Sequence, residues 1–544
     1  MKRNIILLLF LWMIFYPAKA QDTIIYKFWI SFTDKNETPF GSGNPEQFLS
    51  ERAIERRTRY NIPVTESDLP VNPAYTDSLR KLGAHLLYTS KWFNAAVIET
   101  VDSSLVQMLN QQSFISHTEL LYRSPYSDTY AHKALVDHEN IQILEYGLAS
   151  QQIMIHHADR LHGEGYLGQG MHIAILDAGF LNVDSLRAFD SLRINGQILG
   201  TRDFVKAGNN VYREHSHGMK VLSLMGGNIP DTLIGTAPKA NFWLLRSEDV
   251  GSEYRIEEAN WIAAAEFADS VGSDVINSSL GYSLFDDSLQ NYTYEDMDGH
   301  TTLVTRGADM AASKGILVVV SAGNEGNKPW RYITAPADGN NVLTVGAIKP
   351  DGTYATFSSQ GPTSDKRIKP NVVAIGQNAY VQNINGTVGP GSGTSFSSPI
   401  IAGLASCLWQ KFRDISNDEL IYILEQSSSK HTWPDYLIGY GIPNLGVAND
   451  LITGKYYQPS GRDLVLYPNP VKNILCVSMS VTTGQILQWE MYDASGRKIR
   501  SSSGNIDLTG TGFSIDALEE LNPGLYIIKI TTDHEIHSGR FIKE

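Results

Sequence analysis

Four short segments of this chain set a reactive side chain at the edge of an apolar run. Ala174-Ile175-Leu176-Asp177-Ala178-Gly179 reads as a buried strand that ends in a carboxylate. His215-Ser216-His217-Gly218 opens a helical run over 219–225. Val318-Val319-Val320-Ser321-Ala322-Gly323-Asn324-Glu325-Gly326 is a second buried strand running into a polar turn, and Gly393-Thr394-Ser395-Phe396-Ser397-Ser398-Pro399 leads into an apolar helix. Acyl transfer needs a nucleophile, a base that takes its proton, an acid that orients the base, and donors aimed at the developing oxyanion. The four segments offer one residue for each role. Ser395 sits in a tight turn at a helix N-terminus, where backbone N–H groups and the helix dipole favour negative charge. His217 would be the base, since an unperturbed imidazole pKa of about 6.5 suits proton shuttling near neutrality. Asp177 would hold its tautomer, and Asn324 would donate its side-chain amide to the oxyanion.

The elements that must position these residues can be read from the hydropathy pattern. Between 147 and 455, continuous short apolar runs alternate with helical segments. Strands are expected over 172–176, 242–246, 275–279, 316–321 and 342–347, and helices over 256–270, 310–314 and 397–412. Apolar strands separated by helices imply a parallel sheet covered on both faces. Such sheets carry their sites at the carboxyl ends of the strands, which is where the four segments lie.

The order Asp, His, Asn, Ser with these flanks resembles the subtilisin-like serine peptidases, the subtilases, over residues 147–450 or so. The resemblance implies a three-layer α/β/α fold with a parallel sheet and endopeptidase activity on protein or peptide substrates. It implies Asp177 as the acid, His217 as the base, Asn324 as the oxyanion donor and Ser395 as the nucleophile. A further match, Asn277-Ser278-Ser279-Leu280-Gly281, implies that Ser279, Leu280 and Gly281 form the strand that binds substrate backbone and walls the primary pocket. Ala178 stands where the family has Thr or Ser, Met219-Lys220 where it has Thr-His, Ile375 where it has Pro, and Phe396 where Met is commoner. None of these departures removes a reacting atom.

The rest of the chain frames that region. Its 544 residues are too many for one domain, and 42% hydrophobic content excludes wholesale disorder. A net charge of −14, with no basic block, lacks the footprint of a nucleic-acid binder, so no nucleic-acid partner is expected. Lys2 and Arg3, the apolar run over 5–16 and Ala18-Lys19-Ala20 read as a cleaved signal peptide over 1–20, and no other stretch has the length of a membrane span. Residues 21–125 suggest a β-α-β-β-α-β unit of ferredoxin-like α+β type, with a helix over 46–59 and strands near 84–89, 92–101 and 114–122. In a subtilase this unit resembles the prosegment, an intramolecular inhibitor and folding aid removed by self-cleavage at a linker over 126–146. Residues 463–544, after a linker over 453–462, read as an all-β sandwich. Tyr467-Pro468-Asn469-Pro470, Asp493-Ala494-Ser495-Gly496 and the run over 524–530 resemble the sorting domain of the type IX secretion machinery of Bacteroidetes-type bacteria. That implies export through periplasm and outer membrane to the cell surface or the medium.

No cofactor is required by this chemistry. The resemblance implies structural calcium, but no Asp-rich loop here offers a ligand set that can be assigned, and no metal site is expected from His156, His157 and His162, whose spacing does not share a helix face. Cys407 and Cys476 are the only cysteines; Cys407 reads as a packed thiol. The competing reading is a catalytically inactive subtilase scaffold that serves as a surface binding protein, and a serine-reactive phosphonate separates the two at Ser395.

Overall fold

The computed structural model describes residues 24–125 and 146–453, together with the segments 464–467, 470–471, 475–479, 486–494, 496–503, 512–515, 518–532 and 536–543. The signal segment 1–20 and almost all of the two linkers lie outside the described residues. The chain divides into two compact units, Met1–Ile452 and Thr453–Glu544. Among the described residues no helix is long and apolar enough to cross a membrane.

The N-terminal region contributes β1 (Ile24–Phe32), α1 (Glu51–Arg59), α2 (Pro73–Lys81), β2 (His85–Ser90), β3 (Ala95–Thr100), α3 (Leu105–Leu109) and β4 (Ile115–Pro125). The strands form an antiparallel sheet in the order β2-β3-β1-β4, the ferredoxin-like arrangement. Strand alternation sends Phe28, Ile30 and Phe32 to one face, against Leu79 of α2 and Leu105 and Leu109 of α3. Trp29, paired with Val97, faces the opposite way.

One helix assignment changes. The charged segment expected over 46–59 is α-helical only over Glu51–Arg59, after a short 3-10 turn over Pro45–Gln47, and the helix that covers the sheet is α2. Asn72 caps α2 through Ala74 N–H (2.9 Å) and Pro73 fills its first turn, both ordinary start signals.

Seven parallel strands form the sheet of the central region: β5 (His172–Asp177), β6 (Ile198–Asp203), β7 (Asn241–Arg246), β8 (Val275–Ser278), β9 (Leu317–Ser321), β10 (Leu343–Ile348) and β11 (Val372–Ile375). Their order is β11-β10-β9-β8-β5-β7-β6, with parallel registers throughout. Ile173 and Ile175 of β5 face α4 (His217–Gly226) and α7 (Thr394–Lys411). Ala174 and Leu176 face α5 (Ile256–Ser270) and α6 (Leu303–Ser313). This is the expected three-layer α/β/α fold. The helix expected over 310–314 is the end of α6. Strands β6 and β11 were not foreseen: β6 is an edge strand with exposed Thr201 and Arg202, and β11 is four residues long.

Helix α5 is buried on both sides, by the parallel sheet and by the second face of the N-terminal sheet, where Trp29, Val97 and Leu121 meet Ile256 and Ala259. Its polar residues therefore need partners. Glu266 accepts from Ser90 Oγ (2.5 Å) and from the backbone N–H groups of Lys91 (2.8 Å) and Trp92 (3.1 Å). Asp269 accepts from Arg56 (2.6 Å), Arg57 (2.9 Å) and Lys91 (2.9 Å). Burial alone would raise the Asp269 pKa, but Lys91, Arg57 and Arg56 outweigh it and hold the carboxyl below its ordinary range. Removing one partner of a buried ionic cluster leaves uncompensated charge and costs about 3–5 kcal/mol. Asp269→Ala is therefore expected to lower the unfolding free energy of a non-cleaving full chain by that amount, read by urea denaturation. Because the folded pKa is depressed, the Asp269 contribution is complete above about pH 4 and fades as pH falls towards the folded pKa.

The second unit is all-β. One antiparallel sheet joins Leu464–Tyr467, Leu475–Met479 and Gly512–Ile515. The other joins Lys498–Ser503, Ile486–Asp493, Gly524–Thr532 and Ile536–Lys543. Leu475, Val477 and Ile515 of the first sheet share a core with Met491, Ile528, Ile530 and Phe541 of the second, as in a sandwich.

Candidate active site

Three neighbouring strands of the central sheet, β9, β8 and β5, end side by side, and each delivers one group. Asp177 is the last residue of β5 and fully buried; Ser279 follows β8; Asn324 lies three residues beyond β9. The N-termini of α4 and α7 supply His217 and Ser395. All five stand at the carboxyl edge of the sheet.

His217 is the first residue of α4, and its Nδ1 lies 2.8 Å from Asp177 Oδ1. Gly218 makes that approach feasible, since a Cβ there would lie 2.5 Å from the Gly179 carbonyl oxygen and 2.9 Å from Asp177 Cβ. Asp177 Oδ1 also accepts from Ala178 N–H (2.7 Å). Its buried Oδ2 has no hydrogen-bond partner among the described residues, beside the position where the family's usual hydroxyl is replaced by Ala178. Burial pushes the His217 pKa down, but the Asp177 charge and hydrogen bond, with the Glu248 charge, outweigh it and hold the imidazole above its ordinary value. Phe396 stacks on the imidazole with ring centroids 6.1 Å apart and planes at 27°.

Ser395 lies inside α7, in its first turn, because the helix begins at Thr394, three residues before the expected start. Its Oγ donates to the Ser279 carbonyl (3.2 Å), while Ser279 Oγ donates to the Ser395 carbonyl (3.0 Å). Pro399 explains the second bond: lacking an N–H, it cannot donate to the carbonyl four residues earlier, which is that of Ser395. Nucleophile candidate and edge strand are thus tied together. Leu280 is buried and Gly281 exposed, with a Cβ on Gly281 destined to meet Thr334 Oγ1 at 2.2 Å.

Asn324 has a defined amide orientation. Its Oδ1 accepts from Thr394 N–H (2.9 Å) and Thr394 Oγ1 (3.1 Å), which leaves Nδ2 as the free donor end. Gly323 (φ 104°) makes the turn off β9, and a side chain there would clash with Ser359 Oγ at 2.8 Å. Thr394 thereby acquires a positioning role that the Gly-Thr-Ser motif alone does not reveal.

Glu248 is a second group not foreseen. It follows β7, accepts from buried Tyr282 Oη (2.9 Å), and adds to the negative field on His217. The glycine-rich stretch 165–170 precedes β5, as read, and His156 Nδ1 and His162 Nε2 bond to the carbonyls of Pro443 and Thr236, both at 3.0 Å. Cys407 is a free, buried thiol on α7.

Each of the three regions of the chain resembles known proteins. The model of the subtilase family matches residues 168–441, half of the chain. A peptidase S8 propeptide domain of Bacteroidota matches 27–134, and a secretion system C-terminal sorting domain matches 465–544. Subtilisin E of Bacillus subtilis (strain 168) is 28% identical over 377 residues, covering 68% of this chain and 85% of its own. Serine protease AprX of the same organism is 29% identical over 303 residues, covering 50% of this chain and 64% of its own. The solved structure of MycP1 from Mycobacterium smegmatis aligns at a TM-score of 0.45 with 21% identity, covering 60% of this chain and 89% of that one. The N-terminal region is a prosegment and the C-terminal unit a type IX sorting domain, which directs the protein to the cell surface or beyond it. The chain belongs to the subtilase family and is a serine endopeptidase.

Proposed function

We propose that Ser395 is the nucleophile, His217 the general base, Asp177 the carboxylate that orients it, and Asn324 the oxyanion donor. The observation that carries this reading is the His217–Asp177 bond of 2.8 Å beside a serine held in the first turn of α7. Substrate enters as an extended strand along 279–281, displacing the Ser395 hydroxyl from the Ser279 carbonyl and turning its proton to His217 Nε2. Oγ then attacks the scissile carbonyl while the imidazole takes the proton, and Asp177 stabilises the imidazolium. The resulting oxyanion receives Asn324 Nδ2–H and backbone N–H at the head of α7. Collapse of the tetrahedral species breaks the C–N bond, the imidazolium gives its proton to the leaving amine, and an acyl-enzyme remains. Water, deprotonated by His217, attacks the ester and regenerates Ser395.

Asn324→Ala is expected to fold and to lose about 10²–10³ in kcat with little change in KM, the scale known for the oxyanion asparagine of a subtilisin. Steady-state kinetics on a chromogenic peptide measures it, and an unchanged kcat would remove Asn324 from the site.

The domain boundaries follow from this reading: signal peptide 1–20, prosegment 21–125, cleaved linker 126–146, peptidase 147–455 and sorting domain 463–544. Intact masses of residues 21–544 and of its Ser395→Ala twin after incubation test it. Loss of the first 105–125 residues or so by the parent alone is expected; equal cleavage of both would assign the processing to another protease.

A further inference from the structure

We propose that Thr334 ends the primary pocket and restricts the residue on the acyl side of the scissile bond to a small side chain: alanine, serine or glycine. The inference rests on the acyl-transfer reading of Ser395 and Asn324 given above. That reading fixes where the side chain must go. The scissile carbonyl carbon stands at Ser395 Oγ and its oxygen at Asn324 Nδ2, while the substrate backbone runs along 279–281. The side chain of the same residue therefore enters the gap between 279–281, which follows β8, and 322–324, which follows β9.

Both walls of that gap are tied to one short segment, 333–335. Ala335 exchanges two main-chain bonds with Tyr282, donating to its carbonyl (3.1 Å) and accepting from its N–H (2.8 Å). One residue earlier, Thr334 N–H donates to the Ala322 carbonyl (3.3 Å). Main-chain bonds to both sides make the segment the floor of the gap. Ile333 and Ala335 are fully buried, and Thr334 is 4% exposed.

The Thr334 side chain stands between the walls. A Cβ on Gly281 would meet its Oγ1 at 2.2 Å. A Cβ on Gly323, on the other wall, would meet the same Oγ1 at 2.9 Å and its Cγ2 at 3.3 Å. One hydroxyl thus spans the gap, which leaves no room for a side chain on either glycine. That Oγ1 is buried and has no hydrogen-bond partner among the described residues. A buried hydroxyl without a partner costs stability, so hydrogen bonding does not account for a threonine here; filling the space does. Selectivity follows from size. A pocket gains about tenfold or more in kcat/KM from each methylene it can bury, and forcing in a group that does not fit displaces packed atoms instead.

Residues 21–544, after the incubation that removes the prosegment, are assayed on peptide anilides identical except for Ala, Leu or Phe at the acyl-side position. The parent is expected to cleave the Ala anilide with a kcat/KM at least about 100-fold above those for Leu and Phe. Thr334→Ala, which removes Oγ1 and Cγ2, should narrow that ratio by about tenfold or more. Thr334→Val keeps the bulk without the hydroxyl and should retain the parental order. Fluorophosphonate labelling of Ser395 in each variant shows that the site is assembled, so that altered selectivity is not misfolding. Leu or Phe cleaved as fast as Ala by the parent would overturn the role of Thr334 and leave the triad in place. So would a ratio unmoved by Thr334→Ala. Neither label nor hydrolysis of any anilide in the parent would overturn the acyl-transfer reading, and this inference with it.

Discussion

Ser395→Ala is expected to lower kcat on a peptide substrate by about six orders of magnitude, the loss found when the nucleophile or base of a subtilisin is removed. The residual activity over water would come from Asn324, the head of α7 and substrate binding alone. The fold should survive, because the Ser395 hydroxyl makes one neutral hydrogen bond, to the Ser279 carbonyl, while the reciprocal bond from Ser279 Oγ uses the Ser395 main chain. Losing one such bond is worth about 1 kcal/mol. Kinetics and urea denaturation on the same preparations separate the two effects. A million-fold loss with near-parental stability is the expected pair.

Asp177→Asn should lower kcat by about 10⁴, as expected when the orienting acid of a triad becomes an amide. The pH profile carries more information than the magnitude. Only neutral His217 can accept the Ser395 proton, so kcat/KM rises with pH through the His217 pKa of the free enzyme. Burial lowers that pKa, while Asp177, through charge and hydrogen bond, and Glu248 raise it above the usual histidine value. The parental acid limb should therefore have its midpoint above about 6.5. In Asp177→Asn the largest raising contributions are gone, burial dominates, and the midpoint should move down. An acid limb unmoved by the substitution would mean that another group titrates.

What made the centre of this protein readable was the coincidence of reactive side chains with strand ends and helix starts. Asp177 closes an apolar run and His217 opens a helical one, and the structure sets them 2.8 Å apart. The seven-stranded sheet was legible where strands are buried on both faces, as in β5 and β9. It was not legible at the exposed edge strand β6 or in the four-residue β11, where the apolar signal is short. Helix α1 shows a different limit. Arg56 and Arg57 look like solvent-facing charges, yet both are buried, because Asp269, the partner they share, lies far away in sequence. Charge pairing across more than 200 residues leaves no local periodicity to read. The same holds for Thr394 and Ser279, whose roles depend on bonds to Asn324 and Ser395, and for Thr334, which meets Gly281 and Gly323 only once the chain has folded.

The central claim, that Asp177, His217 and Ser395 act as one acyl-transfer unit, is tested most directly by a biotinylated fluorophosphonate followed by peptide mapping. Such a reagent phosphonylates a serine only when a neighbouring base activates it. The account predicts a single adduct on the peptide containing Ser395, much slower labelling in Asp177→Asn, and none in Ser395→Ala. A parent protein, freed of its first 125 residues or so, that takes no label, or takes it equally well after Ser395→Ala, would contradict the account and leave a subtilase fold used for binding.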